Sequence, residues 1–143
     1  MNEKNDNHFI IKSDEINEYI SIVYQFYEES NTEVKIAIHI KDIPIFTKRF
    51  KYHKEEKQIK DKADKFYQTL QVDLNLWSKN NYKTKFIDFR IAFPLLKRLR
   101  EVGETRFQII FQQEILKEYA SNNANVKDFL KNEGYLKLIG DFF

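Results

Sequence analysis

Only three glycines (Gly103, Gly134, Gly140) and two prolines (Pro44, Pro94) punctuate the 143 residues of this chain. An all-β sandwich needs a turn every ~8–12 residues, and those turns draw heavily on these two residue types. Their scarcity points to long helices joined to a small number of strands. The chain has the length of one domain and enough apolar residues, 42%, to bury a core of its own.

The hydrophobic pattern divides the chain. Residues 1–7 are polar and mixed in charge, and are expected to be a disordered tail, with residues 8–143 forming a single α+β domain. Ser13 reads as a helix N-cap with Asp14 and Glu15 in the first turn, followed by Ile16, Tyr19, Ile20, Val23, Phe26 and Tyr27 at helical spacing. That spacing predicts an N-terminal helix to about Glu29, with Phe9–Lys12 available as a short extra strand. From Glu33 the period becomes two: Val34, Ile36, Ile38 and Ile40 share one face. A second run from Ile43 to Tyr52 follows after Lys41-Asp42, so a β-hairpin is expected, and Pro44 marks its second strand as an edge.

Residues 54–79 read as one long helix on a heptad-like seam of Ile59, Ala63, Phe66, Leu70 and Trp77. Asp73 falls on that seam, which implies either a bend or a partner for its carboxylate. The apolar stripe Phe86, Phe89, Ala92, Phe93, Leu96, Leu99 contains Pro94, so the regular helix is expected to begin near Phe93. Thr105–Ala120 carries apolar residues nearly all round its axis and is expected to be the central buried helix. A last helix, Val126–Glu133, should stop at Gly134 in the left-handed conformation. The apolar residues from Tyr135 to Phe143 then need covering.

The stretch Phe93-Pro94-Leu95-Leu96-Lys97-Arg98-Leu99, then Val102-Gly103-Glu104, Phe111-Gln112-Gln113-Glu114-Ile115, and Val126 through Leu136, resembles a helical segment found beside leucine-rich-repeat regions in archaeal and bacterial proteins. The similarity covers residues 90–140 and consists of packing and capping positions. The repeats themselves are missing and the first half is unlike that family. The resemblance implies a small helical scaffold for protein interaction, and supplies no catalytic residue.

Chemistry is sparse. With no cysteine there is no thiolate, disulfide or sulfur ligand, which suits a reducing cytoplasm. The N-terminus does not read as a signal peptide, and no apolar run has the ~18 residues of a membrane span. Scattered glycines cannot form a phosphate-binding loop. His39 and His53, with Glu55 or Glu56, could approach one another for a metal, but histidines without a metal are the commoner case. Carboxylate pairs such as Glu28/Glu29 and Asp61/Asp64 read as solvated helix faces. No catalytic residue, cofactor or metal site is expected, and the chain is read as non-enzymatic.

The strongest functional signal is positional charge, since the net charge is only +2. Lys83, Lys85, Arg90, Lys97, Arg98 and Arg100 cluster with only Asp88 opposing them, and the hairpin adds Lys48, Arg49 and Lys51 between Phe46, Phe50 and Tyr52. Lysines for phosphates beside aromatics for bases suit single-stranded nucleic acid. The bland reading is a solvated lysine-rich helix face and a hairpin whose aromatics are core. The expectation is therefore an interaction or scaffold module for a protein partner or a second copy of itself. The alternative is RNA or DNA binding through the basic stripe.

Overall fold

In a computed structural model, residues 9–30, 33–40, 43–51 and 59–140 are described, with the side chains of all of these but residues 9, 10, 50 and 59–62. Strands come first and helices after. β1 (Phe9–Glu15), β2 (Ser21–Glu28), β3 (Glu33–Ile40) and β4 (Ile43–Lys51) form an antiparallel four-stranded sheet in the order β1-β2-β3-β4. Then come α1 (Ile59–Lys79), a 3₁₀ turn (Thr84–Phe86), α2 (Phe89–Glu101), α3 (Thr105–Ala120), α4 (Ala124–Asn132) and the short α5 (Tyr135–Leu138). The α+β class holds; the expected N-terminal helix does not.

Residues 13–29 form the end of β1, the turn and all of β2 instead. Ile20, Ile22, Tyr24 and Phe26 are buried at strict alternation, and β-branched and aromatic residues suit a half-buried strand. The helical stripe shared Ile20 and Phe26 with that alternation and passed over Ile22 and Tyr24. Ser13 is not a cap but the partner of Val23 inside the β1–β2 pair. The reversal comes at Asn17, whose Oδ1 accepts from the backbone N–H groups of Tyr19 (2.8 Å) and Ile20 (3.0 Å). Such a side-chain turn needs neither glycine nor proline.

β3 and β4 form the expected hairpin, and β4 is an edge. The register slips between Ile38↔Phe46 and His39↔Pro44, leaving Ile45 unmatched. This bulge seats a proline that cannot donate to the ladder.

α1 runs unbroken through Asp73, and residues 54–58 of its expected span lie outside the described residues. Its buried seam is Ala63, Tyr67, Leu70, Leu74 and Trp77, so Leu74 fills the core position and Asp73 sits half-buried on the flank. α2 begins at Phe89, not Phe93. Asp88 caps it, accepting from the Arg90 N–H at 2.9 Å, and Pro94 falls inside the helix. The cap fixes the start, and the proline forfeits one backbone bond further in. α2 is also the most buried helix, through Ile91, Ala92, Phe93, Leu95, Leu96 and Leu99. α3 is not the central helix: it buries Phe107, Phe111, Glu114 and Ile115, while Ile109 is exposed. Gly134 has φ 77°, the left-handed stop expected after the preceding helix. Tyr135 and Ile139 pack into the core, whereas residues 141–143 of the apolar tail lie outside the described residues.

One core joins these elements. The even-numbered faces of β2 and β3 meet α1 and α2, and the Tyr24 hydroxyl donates to the Ala63 carbonyl at 3.0 Å. Among the described residues no helix is long and apolar enough to cross a membrane.

Candidate functional site

The sheet register separates the hairpin cations. Lys48 pairs with buried Ile36 and so shares the helix side of the sheet with Phe46. Arg49 and Lys51 pair with Lys35 and Glu33 on the opposite side. Of the interleaved aromatics, Phe46 is buried core, the Phe50 side chain and Tyr52 lying outside what is described.

Lys48 and Arg90 do come together. Both border a cavity of about 120 Å³ whose walls include Phe46, Phe66, Asp73 and Asp88. The Arg90 guanidinium lies 5.2 Å from the Phe46 ring centre. Its Nε and Nη2 donate to Asp88 Oδ1 (3.0 Å) and Oδ2 (2.7 Å). Burial pushes the Asp88 carboxyl up, but the Arg90 hydrogen bonds and charge, with Lys48 behind them, outweigh it and hold Asp88 below its ordinary value.

The rest of the basic stripe is dispersed. Lys97 and Arg98 border a separate cavity of about 360 Å³ against Ile43, Pro44 and Ile45, and Arg98 Nη1 is 3.4 Å from Glu101 Oε2. Arg100 lies over the Phe111 ring at 5.5 Å, and Lys85 over Phe86 at 5.3 Å. Lys83 is exposed beside the 3₁₀ turn. Across the sheet, Arg49 Nε donates to Glu29 Oε1 at 2.9 Å. Arg49, Arg90 and Arg98 are thus each matched to a carboxylate.

Of the suggested metal set, His39 is half-buried on β3, while His53, Glu55 and Glu56 lie outside the described residues. Among the described residues no group of three metal-ligating side chains occurs.

The β1 edge is a further feature, and no sequence motif marks it. Among the described residues no strand lies outside β1. The Ile16 N–H donates to the Ile20 carbonyl at 3.0 Å, in register with Glu15↔Ser21. Antiparallel ladders alternate bonded and non-bonded pairs. The bonded pairs are therefore Asp14↔Ile22 and Lys12↔Tyr24, and the backbone groups of Ile11, Ser13 and Glu15 turn away from β2. Beside this edge runs a groove of about 360 Å³ between Asp14, Glu15 and Ile16 and, on α1, Gln71, Val72, Leu74, Asn75 and Ser78. Val72, 59% exposed, lines it, while Ile11, 54% exposed, faces the other side of the sheet. The only signal for this in the sequence was the brief Phe9-Ile10-Ile11 run.

Two polar clusters lock the helices to the sheet. Tyr19 Oη donates to Glu104 Oε1 at 2.6 Å, and Arg106 Nε donates to Glu104 Oε2 at 2.8 Å. The Tyr19 hydrogen bond and the arginine hold the Glu104 carboxyl below its ordinary value, and the bond to Glu104 pushes the Tyr19 phenol up to about 12. Asn17 Nδ2 donates to the Tyr82 hydroxyl at 3.1 Å, so the β1–β2 turn is tied to the loop after α1.

Compared with known proteins, the chain matches no family model, no curated protein and no solved structure.

Proposed function

We propose that this chain is a protein-interaction module that takes up an extended strand along the β1 edge. The observation that carries the reading is the outward row of backbone groups at Ile11, Ser13 and Glu15, beside a groove lined by Ile16, Val72 and Leu74 together with the polar Asp14, Gln71, Asn75 and Ser78. Main-chain hydrogen bonds would supply affinity, and the groove between β1 and α1 would select alternate side chains of the bound strand. The helical layer is then a scaffold that holds the edge flat.

Ser13→Pro tests this. The Ser13 N–H points away from β2, so proline there removes no bond of the β1–β2 ladder while blocking an added strand. With both forms used as bait against the source-cell lysate, the wild type is expected to retain a partner at fixed stoichiometry. The variant should lose it while keeping its urea unfolding midpoint. Equal retention by both forms overturns the reading.

A second reading, nucleic-acid binding, draws on the row Tyr27, Lys35 and Arg49 across the sheet face opposite the helices. The pairing of arginines with carboxylates weighs against it, because a phosphate would have to displace Glu29, Asp88 or Glu101. Titration with mixed oligonucleotides separates the two readings: salt-sensitive binding lost in a Lys35→Ala/Arg49→Ala variant favours the second.

A further inference from the structure

We propose that the strand taken up by β1 is β1 of a second copy of this chain, antiparallel about a two-fold axis at Ser13; this rests on the docking role of the β1 edge.

The backbone limits the choices. Along β1 the odd-numbered residues Phe9, Ile11, Ser13 and Glu15 present outward N–H and C=O groups, so a symmetric copy must set odd positions opposite one another. An axis at Lys12 places two ammonium groups face to face, and an axis at Asp14 places two carboxylates face to face. An axis at Ile11 sets Lys12 opposite Ile10 and carries Asp14 past the end of the partner strand, so both charges go unmatched. An axis at Ser13 gives the same five-residue overlap and alone sets Lys12 opposite Asp14 of the other copy, twice over. It also sets Ile11 opposite Glu15.

Lys12 and Asp14 lie on the helix side of β1, because their partners Tyr24 and Ile22 are buried there. Inward-turned charges on an edge strand ordinarily discourage foreign strands. This pair discourages the registers centred on Lys12 and Asp14 and is matched only in the one centred on Ser13. In that register the incoming Lys12 meets Asp14 at the mouth of the acceptor-rich groove. Lys12 lies 3.7 Å from Asp64, both side chains about 40% exposed, and over the Tyr67 ring at 4.7 Å, contacts with which the incoming Asp14 competes.

The axis stands perpendicular to the sheet, so the helical layers of both copies stay on one side. The two α1 helices then flank the seam. Val72 lines the groove beside β1, and Leu76, one turn on, is 44% exposed. A second α1 across the axis would cover both, two apolar side chains on the exposed face of the helix.

The test uses the full chain, which contains no cysteine. In a bonded antiparallel pair the Cα atoms are ~5.5 Å apart, within the range a disulfide spans. Under mild oxidation Ser13→Cys should give a disulfide dimer much faster than Thr47→Cys on exposed β4, at equal concentration. Sedimentation equilibrium supplies the second arm. Lys12→Asp and Asp14→Lys should each weaken the dimer by about tenfold, and the double swap should restore it. Cross-linking no faster at Ser13 than at Thr47 overturns the proposal, as does a double swap no tighter than the single variants. A monomeric chain whose partner is lost in Ser13→Pro would overturn the second copy alone and leave the docking edge standing. Retention of that partner by Ser13→Pro would overturn the docking edge itself.

Discussion

Glu114 on α3 reaches back across 30 residues of sequence to Thr84, accepting from its backbone N–H at 2.7 Å and from its hydroxyl at 3.0 Å through the same oxygen, Oε1. Both residues are buried. The carboxylate thereby closes the 3₁₀ turn that redirects the chain from α1 into α2, and Lys117 Nζ, 3.2 Å away, supplies a countercharge. Removing it leaves a buried N–H without an acceptor. Glu114→Ala should therefore cost about 2–3 kcal/mol in urea unfolding, and Glu114→Gln clearly less, because the amide oxygen can still accept. Equal losses in the two variants would mean that side-chain volume, not hydrogen bonding, holds the turn.

The Tyr19–Glu104–Arg106 cluster makes stability depend on pH at both ends. The Glu104 carboxyl lies below its ordinary value of 4.5 in the folded chain. Its contribution is present above that value and is lost as the pH falls through the depressed folded value. The Tyr19 phenol is raised from 10.0 to about 12, so its contribution is complete below pH 10 and is lost as the pH rises toward 12. Tyr19→Phe should flatten the stability profile in both windows. The phenol can be followed directly by ultraviolet titration: in Glu104→Gln one tyrosine should ionise at lower pH than in the wild type.

Pro94 sits inside α2 and denies its helix one backbone bond. Helix-interior proline is worth ~3 kcal/mol less than alanine, offset here by loss of the ring from the cavity wall it shares with Pro44 and Tyr135. Pro94→Ala should raise stability by about 1 kcal/mol. A loss of stability in thermal unfolding would mean that the ring's packing outweighs the missing bond.

How much of this was legible in the sequence follows from the range of each interaction. The β3–β4 hairpin was readable because Val34, Ile36, Ile38 and Ile40 alternate without interruption and Pro44 marks an edge. The Gly134 stop was readable because it depends on one residue. Residues 13–29 were misread because Ile20 and Phe26 fit both periods, and the deciding alternation of Ile22 and Tyr24 becomes clear only against β3. The basic residues were visible as a cluster, yet Glu29 and Glu101 neutralise two of them through contacts set by register and packing. Tyr19–Glu104, 85 residues apart, has no sequence signature at all. The free β1 edge depends on strand order, which no local pattern encodes.

Amide hydrogen exchange along β1 tests the central claim, that this edge is open and accepts a strand, most directly. In dilute protein the Lys12 and Asp14 amides, bonded to β2, should exchange slowly, and those of Ile11, Ser13 and Glu15 quickly. As the protein is concentrated, the second set should slow while the first is unchanged. Outward amides already as slow as Lys12 in dilute protein, or indifferent to concentration and to any captured partner, would contradict the account.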